Sequence, residues 1–159
     1  MSNNAISAIL VVALIVLALG AMALGWWART KRQSGYAHLV EAPADLGEVF
    51  GTFEGLYLAT TPADAPLDRI VVNGLGFRER TTLQFTEAGI VFMGDRYLPP
   101  TSITGIGRAS WTIDRGVEPN GLSVVNWMLG ETYVDSYFRL DDPEGFITVG
   151  TEFMKRARS

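Results

Sequence analysis

From Ala5 to Trp27 the chain reads AISAILVVALIVLALGAMALGWW, 23 residues without one charged side chain. At 1.5 Å per residue such a helix covers about 35 Å, enough to cross a hydrocarbon layer of roughly 30 Å with some tilt. It is apolar on every face, whereas a helix on a soluble core keeps one polar side. The run therefore predicts a membrane-spanning helix. Trp26 and Trp27 fall where the amphipathic ring of tryptophan is most at home, at the head-group level. Arg29, Lys31 and Arg32 follow within a few residues.

A cleaved secretory signal is the competing reading, since Ala21-Met22-Ala23 has the small-x-small pattern of a cleavage site. Against it, the first ten residues contain no Lys or Arg, and the run is longer than the about 7–15 residues of a signal core. All the short-range positive charge follows the span, so the N-terminus is expected outside and the remainder in the cytoplasm, at the inner (plasma) membrane. The same three cations would attract anionic lipid by about 1 kcal/mol each near the surface, or serve only as a stop-transfer flank. Ala21 and Gly25 have small-xxx-small spacing, a weak signal for helix pairing.

The expected division is 1–28 for the span, 29–50 for a basic juxtamembrane segment and linker, and 51–159 for one folded domain. The net charge of −4 hides an uneven distribution: residues 33–154 hold seven Arg and no Lys against seventeen Asp and Glu, or −10. An acidic body repels phosphates, so nucleic acid is not an expected partner. The absence of cysteine excludes a disulfide framework and thiolate metal sites.

The body is dense in strand signals. Strands are predicted near 53–61, 75–86, 89–94, 97–107, 108–115, 122–129 and 132–140, with a three-residue loop ending on Gly89 and a type II′ hairpin at Gly130-Glu131. Gly74/Gly76 and Gly105/Gly107 lack the third glycine of a dinucleotide loop and read as bends or bulges. Trp111, Trp127, Phe77, Phe85, Phe92 and Phe138 are expected to fill a small core. The period then changes. Asp142 is placed to cap, Pro143 suits the first helical position, and Phe146, Val149, Gly150, Phe153, Met154 and Ala157 share one helical face. Lys155, Arg156 and Arg158 in the last turn complement the helix dipole.

Strands followed by one amphipathic helix predict a mainly β fold, a small antiparallel sandwich or barrel. GLYLATT (55–61), LDRIVVNGLGFR (67–78), GIGRASWTIDR (105–115), VEPNGLSVVNW (117–127) and LGETYVDSYFRL (129–140) resemble a family of actinobacterial membrane-anchored PH-like (pleckstrin-homology-like) proteins. The resemblance implies a seven-stranded bent β-barrel capped by a C-terminal α-helix. Descriptions of that family sometimes say transporter or export protein, although a lone span lines no translocation path. It supplies no catalytic residues to carry over.

The residues themselves offer little chemistry. His38 is the only histidine, so neither a histidine-rich metal site nor a Ser-His-Asp triad can be composed. Asp68-Arg69, Asp95-Arg96 and Asp114-Arg115 read as ion pairs, and Asp135, between Tyr133 and Tyr137 on one strand face, as part of a wet face or a polar pocket. No catalytic, cofactor-binding or metal-ligating residue is assigned, and no cofactor is expected. Arg78 and Arg80, two apart on one strand face, form the one local pair suited to a phosphate or lipid head group. Three functions remain: a membrane-tethered module that holds a protein partner or membrane-complex subunit, a lipid-head-group sensor, and, least favoured, an enzyme.

Overall fold

The computed structural model describes residues 3–109 and 121–159. The predicted strand near 108–115 falls largely outside those residues, as do Trp111 and the Asp114-Arg115 pair. The chain divides into two compact units, Met1–Gly35 and Tyr36–Ser159. The first is helix α1 (Asn3–Arg32) and a short 3-10 turn, Gln33–Gly35. Within α1 one helix window is long and apolar enough to cross a membrane, and none of that window is buried against protein.

The second unit contains seven strands among the described residues. They are β1 (Val49–Pro62), β2 (Glu79–Thr86), β3 (Ile90–Phe92), β4 (Arg96–Leu98), β5 (Ile103–Ala109), β6 (Leu122–Leu129) and β7 (Thr132–Leu140), followed by helix α2 (Pro143–Arg158). They form one antiparallel sheet in the order β4-β3-β2-β1-β7-β6-β5. Register shifts at Val49/Gly51, Tyr57/Ala59 and Ile103/Gly105 let the sheet bend around its contents. The fold is the expected one: a long apolar helix, a seven-stranded antiparallel sheet and a closing C-terminal helix.

Turn chemistry places the hairpins. The chain pairs Leu129 with Thr132 across two residues, and Gly130 has φ +65° while Glu131 keeps a negative φ, the pattern of a type II′ turn. At the β2–β3 turn, Thr86 and Gly89 exchange backbone hydrogen bonds of 2.8 and 3.2 Å. A Cβ on Gly89 would lie 2.2 Å from the Leu98 carbonyl oxygen, so only glycine fits there.

The core has two aromatic groups. Phe53, Phe85, Phe146 and Phe153 meet at the α2 end, with ring centroids 5.4–6.0 Å apart. Tyr57, Phe92 and Phe138 form the second, 5.4–5.9 Å apart. Helix α2 starts as its sequence predicts: Asp142 Oδ1 accepts from the Gly145 N–H at 2.9 Å, and Pro143 occupies the first turn. Its Phe146, Gly150 and Phe153 are buried.

Two expectations need correction. Phe77 is 66% exposed, because 75–78 precede β2 and belong to the long β1–β2 loop instead of the sheet. That loop turns inward at Ile70 and Leu75, both fully buried, and these, not Phe77, plug the barrel there. The predicted 97–107 strand is also broken in two by Pro99 and Pro100, which open a 3-10 turn between β4 and β5. A further finding is that Leu56 and Leu58 belong to a small second cluster with Leu122, Val124 and Tyr137, separate from the main core.

A buried polar thread ties the loop to the sheet. The Trp127 indole N–H donates to Ser136 Oγ at 2.9 Å; Ser136 Oγ and Thr60 Oγ1 are 2.7 Å apart, and Thr60 Oγ1 and the Tyr57 hydroxyl 2.8 Å. Tyr57 donates onward to the Leu75 carbonyl at 3.0 Å. A carbonyl can only accept, so Tyr57 spends its proton there and each earlier hydroxyl donates to the next. Tyr57→Phe leaves the Thr60 hydroxyl proton without its acceptor and takes the hydroxyl donor from the Leu75 carbonyl, an expected loss of about 1–3 kcal/mol in urea unfolding at neutral pH.

The same residue sets an alkaline limit. Burial pushes the Tyr57 hydroxyl well above its ordinary value; Tyr36 (burial, then Asp68 and Asp64) and Tyr137 (burial, then Asp135) shift the same way. The folded chain therefore keeps protons that the unfolded chain releases above about pH 10. The stability these tyrosines contribute is complete below that pH and is lost as pH rises beyond it. The decline should be shallower in Tyr57→Phe.

Candidate functional site

Two hollows of the second unit lie where α2 meets the start of β1. Strand β7 pairs with β1 only from Gly55 onward, so among the described residues Val49–Glu54 have a strand neighbour on the β2 side alone. The Asp141 N–H closes the end of this stretch on the Glu54 carbonyl at 2.9 Å. Beside it the Arg156 guanidinium lies over the Phe50 ring, 4.4 Å from the centroid. On one side of that stack is a hollow of about 260 Å³ lined by Phe50, Glu87, Pro100, Phe153, Arg156 and Ala157. On the other is one of about 310 Å³, to which Glu48, Val49, Thr148, Val149 and Glu152 contribute. Val49 is 48% exposed.

The groove combines an apolar floor, a fixed cation and a rim of carboxylates. Glu152 is held below the usual carboxylate range by its hydrogen bond with Lys155, 2.9 Å away. The strand provides backbone, the hollows accept side chains, and the Phe50–Arg156 stack divides them, which suits an extended peptide segment. Among the described residues no group of three or more acids and histidines is placed to hold a metal.

Sequence reasoning missed this groove. Phe50 lies in the segment expected to be linker, and Arg156 is already accounted for by the helix dipole. Their contact joins residues more than a hundred positions apart and leaves no periodic trace.

The residues singled out in the sequence are placed as follows. Trp26, Trp27, Arg29, Lys31 and Arg32 occupy the last turns of α1, with Trp26 and Trp27 48% and 60% exposed. Lys31 Nζ stands 5.0 Å from the Trp27 ring centroid, an i,i+4 pair. Arg80 is on β2 opposite Leu56, and Arg78 immediately precedes the strand; both are exposed. Arg80 shares a shallow hollow with Glu54, Thr81 and Thr82, so a carboxylate stands where an anion would sit. His38 is exposed. Asp135 accepts from Asn126 Nδ2 at 2.6 Å across the β6–β7 ladder, and Asp95 pairs with Arg96. Arg69 donates to the carbonyls of Leu58 (2.9 Å) and Gly76 (3.3 Å), stitching the β1–β2 loop to β1.

The strand order, the closing helix and the matched sequence agree. A family model described as Bacterial PH domain-like matches residues 36–150. The chain belongs to that family. The match begins at Tyr36, where the second compact unit begins, and ends within α2. No curated protein and no solved structure gives a significant match. Membership in this family suggests interaction with protein or lipid and is compatible with a membrane-anchored interaction module.

Proposed function

We propose that the protein is a single-pass, membrane-anchored PH-like module that holds a protein partner at the inner leaflet and performs no catalysis. Residues 1–28 would supply the span with its outside tail, 29–50 the basic juxtamembrane segment and linker, and 51–159 the cytoplasmic domain. The support for anchoring is α1, apolar on every face, with its tryptophans and cations at one end. The observation that carries the partner-holding role is the groove at Phe50 and Arg156, beside a β1 segment that, among the described residues, has a strand on one side only. Tethering raises the local concentration of whatever the groove holds. The transporter descriptions of similar actinobacterial proteins fit an accessory subunit better than a carrier, because one span forms no path.

A head-group sensor is less well supported. Of its best cations, Arg78 and Arg80, the second shares its hollow with Glu54, and Ile70 and Leu75 are fully buried in the β1–β2 loop.

A photocrosslinking residue at Val49 in native membranes should give a protein adduct, and Phe50→Ala or Arg156→Glu should reduce its yield about tenfold or more, the scale for losing a binding anchor. An adduct no stronger than that from a crosslinker at Thr82 would contradict the reading.

A further inference from the structure

We propose that the groove at Phe50 and Arg156 takes a basic, extended segment: the cytoplasmic flank of a span in another membrane protein, with a lysine or arginine beside an apolar side chain. This rests on the partner-holding reading above and names the chemistry of the partner.

The groove has a backbone edge to offer such a segment. The Glu54 carbonyl accepts from Asp141 on the side away from β2. In an antiparallel ladder the pairs that bond to the neighbouring strand alternate with pairs that do not. Thr52, two residues back, therefore turns its N–H and C=O to the same side as Glu54. Among the described residues no strand pairs with it there.

The rim carries charge that the domain leaves unmatched. Residues 46–48 run against the β2–β3 turn: the Ala88 N–H donates to the Leu46 carbonyl at 3.1 Å and the Glu87 N–H to the Glu48 carbonyl at 2.8 Å. This pairing brings Glu48, on one hollow, beside Glu87, on the other. Gly47 permits the approach, since a Cβ there would lie 2.5 Å from Glu87 Oε2. Both glutamates are exposed, and among the described residues no ion pair reaches either. Like charges set side by side cost stability, and a cation from outside relieves that cost.

The groove's own cations are engaged elsewhere. Lys155 bonds to Glu152 at 2.9 Å, and Arg156 lies over Phe50 one helical turn after Glu152. The charged residues that line the two hollows are Glu48, Glu87, Glu152 and Arg156. An acidic segment would meet this rim with like charge. A lysine or arginine can lay its aliphatic stem along the Phe50 and Phe153 floor and bring its charge to Glu48 and Glu87.

What selects a membrane protein as the source is where such segments are concentrated. Cytoplasmic loops and tails carry their excess of Lys and Arg within about 15–20 residues of a span. Extended, a flank of that length reaches roughly 50–70 Å, longer than a domain of this size is across. The groove can therefore be served whichever way the domain faces. Both chains are confined to one membrane, which raises their local concentration and lets a weak contact suffice.

The test uses the full-length chain with the photocrosslinker at Val49, in inside-out vesicles of native membrane, and maps the crosslinked residue of the partner by mass spectrometry. The adduct should fall within about 20 residues of a partner's span, next to a Lys or Arg. Glu48→Gln with Glu87→Gln should lower the yield about fivefold and leave thermal unfolding unchanged, since both side chains are exposed. Raising salt from about 50 mM to about 0.5 M should lower the parent's yield and barely change that of the double variant. A short synthetic peptide of alternating valine and lysine should suppress the adduct, and its twin with glutamate for lysine should not. An unchanged yield in the double variant overturns the proposal, as does equal suppression by the two peptides. An adduct in a soluble protein, in a second copy of this chain or in a segment without Lys or Arg also overturns it, while the groove still holds a protein. An adduct at Val49 no stronger than that at Thr82 refutes the partner-holding reading and this proposal with it.

Discussion

Phe146→Ala is expected to destabilise the PH-like domain by about 3–5 kcal/mol, the range for truncating a buried phenylalanine. Phe146 is fully buried, with its ring 6.0 Å from that of Phe53 and 5.5 Å from that of Phe85. It is the wedge by which α2 closes one end of the barrel. Its neighbours are themselves large rings held by strands on several sides, so the space collapses poorly and most of the cavity cost remains. Domains of this size have about 5–15 kcal/mol in total, and the urea midpoint should drop by about 2 M. The groove should suffer with it, because Phe153 and Arg156 lie on the same helix. Val149→Ala, which removes a half-buried side chain at the groove, should cost far less, so comparison of the two separates unplugging the barrel from trimming its edge. A Phe146→Ala domain as stable as the parent would mean that α2 is not what closes the core.

The second large effect concerns α1. Val12 and Val16 lie near the middle of the apolar run, and a lysine there costs about 2.5–3.5 kcal/mol on the insertion scale. Val12→Lys with Val16→Lys should therefore disfavour insertion by about 5–7 kcal/mol. In alkaline-carbonate extraction the parent chain should remain with the membranes and the double variant should leave them. Thr30→Lys, beyond the tryptophans, should have no such effect. If the double variant stays in the membrane pellet, the apolar run is not what holds the protein there.

Local chemistry carried much of the fold into view. A two-residue turn announces itself by a glycine between β-branched and aromatic runs, as at Gly130, and α2 by a capping Asp142, a proline and a helical stripe. Each is decided by neighbours within a few positions. The sequence misleads where an apolar run serves something other than the sheet. LGF at 75–77 has the composition of a strand, yet Leu75 is a plug and Phe77 is exposed; the difference depends on Tyr57, far away in the chain, which holds the Leu75 carbonyl. The β3–β4 turn is hidden for another reason. It places Met93 at φ +49° before Gly94 at +78°, and methionine is not a residue whose presence signals a positive φ. Leu56 and Leu58 alternate as core residues do, but strand alternation does not say which face of a bent sheet is the main core. The stretch from Trp26 to Arg32 stands out because charge and aromaticity change abruptly there. The groove had no such signal, being made by tertiary contact between Phe50 and Arg156.

The central claim is that an apolar N-terminal helix holds a PH-like domain on the cytoplasmic face of a membrane. Because the chain has no cysteine, Asn4→Cys and Ser159→Cys can each be probed in intact cells with a membrane-impermeant maleimide. The account predicts modification of Asn4→Cys in intact cells and of Ser159→Cys only after the membrane is permeabilised. Modification of Ser159→Cys in intact cells, or recovery of the protein from the medium without its apolar N-terminal run, would contradict it.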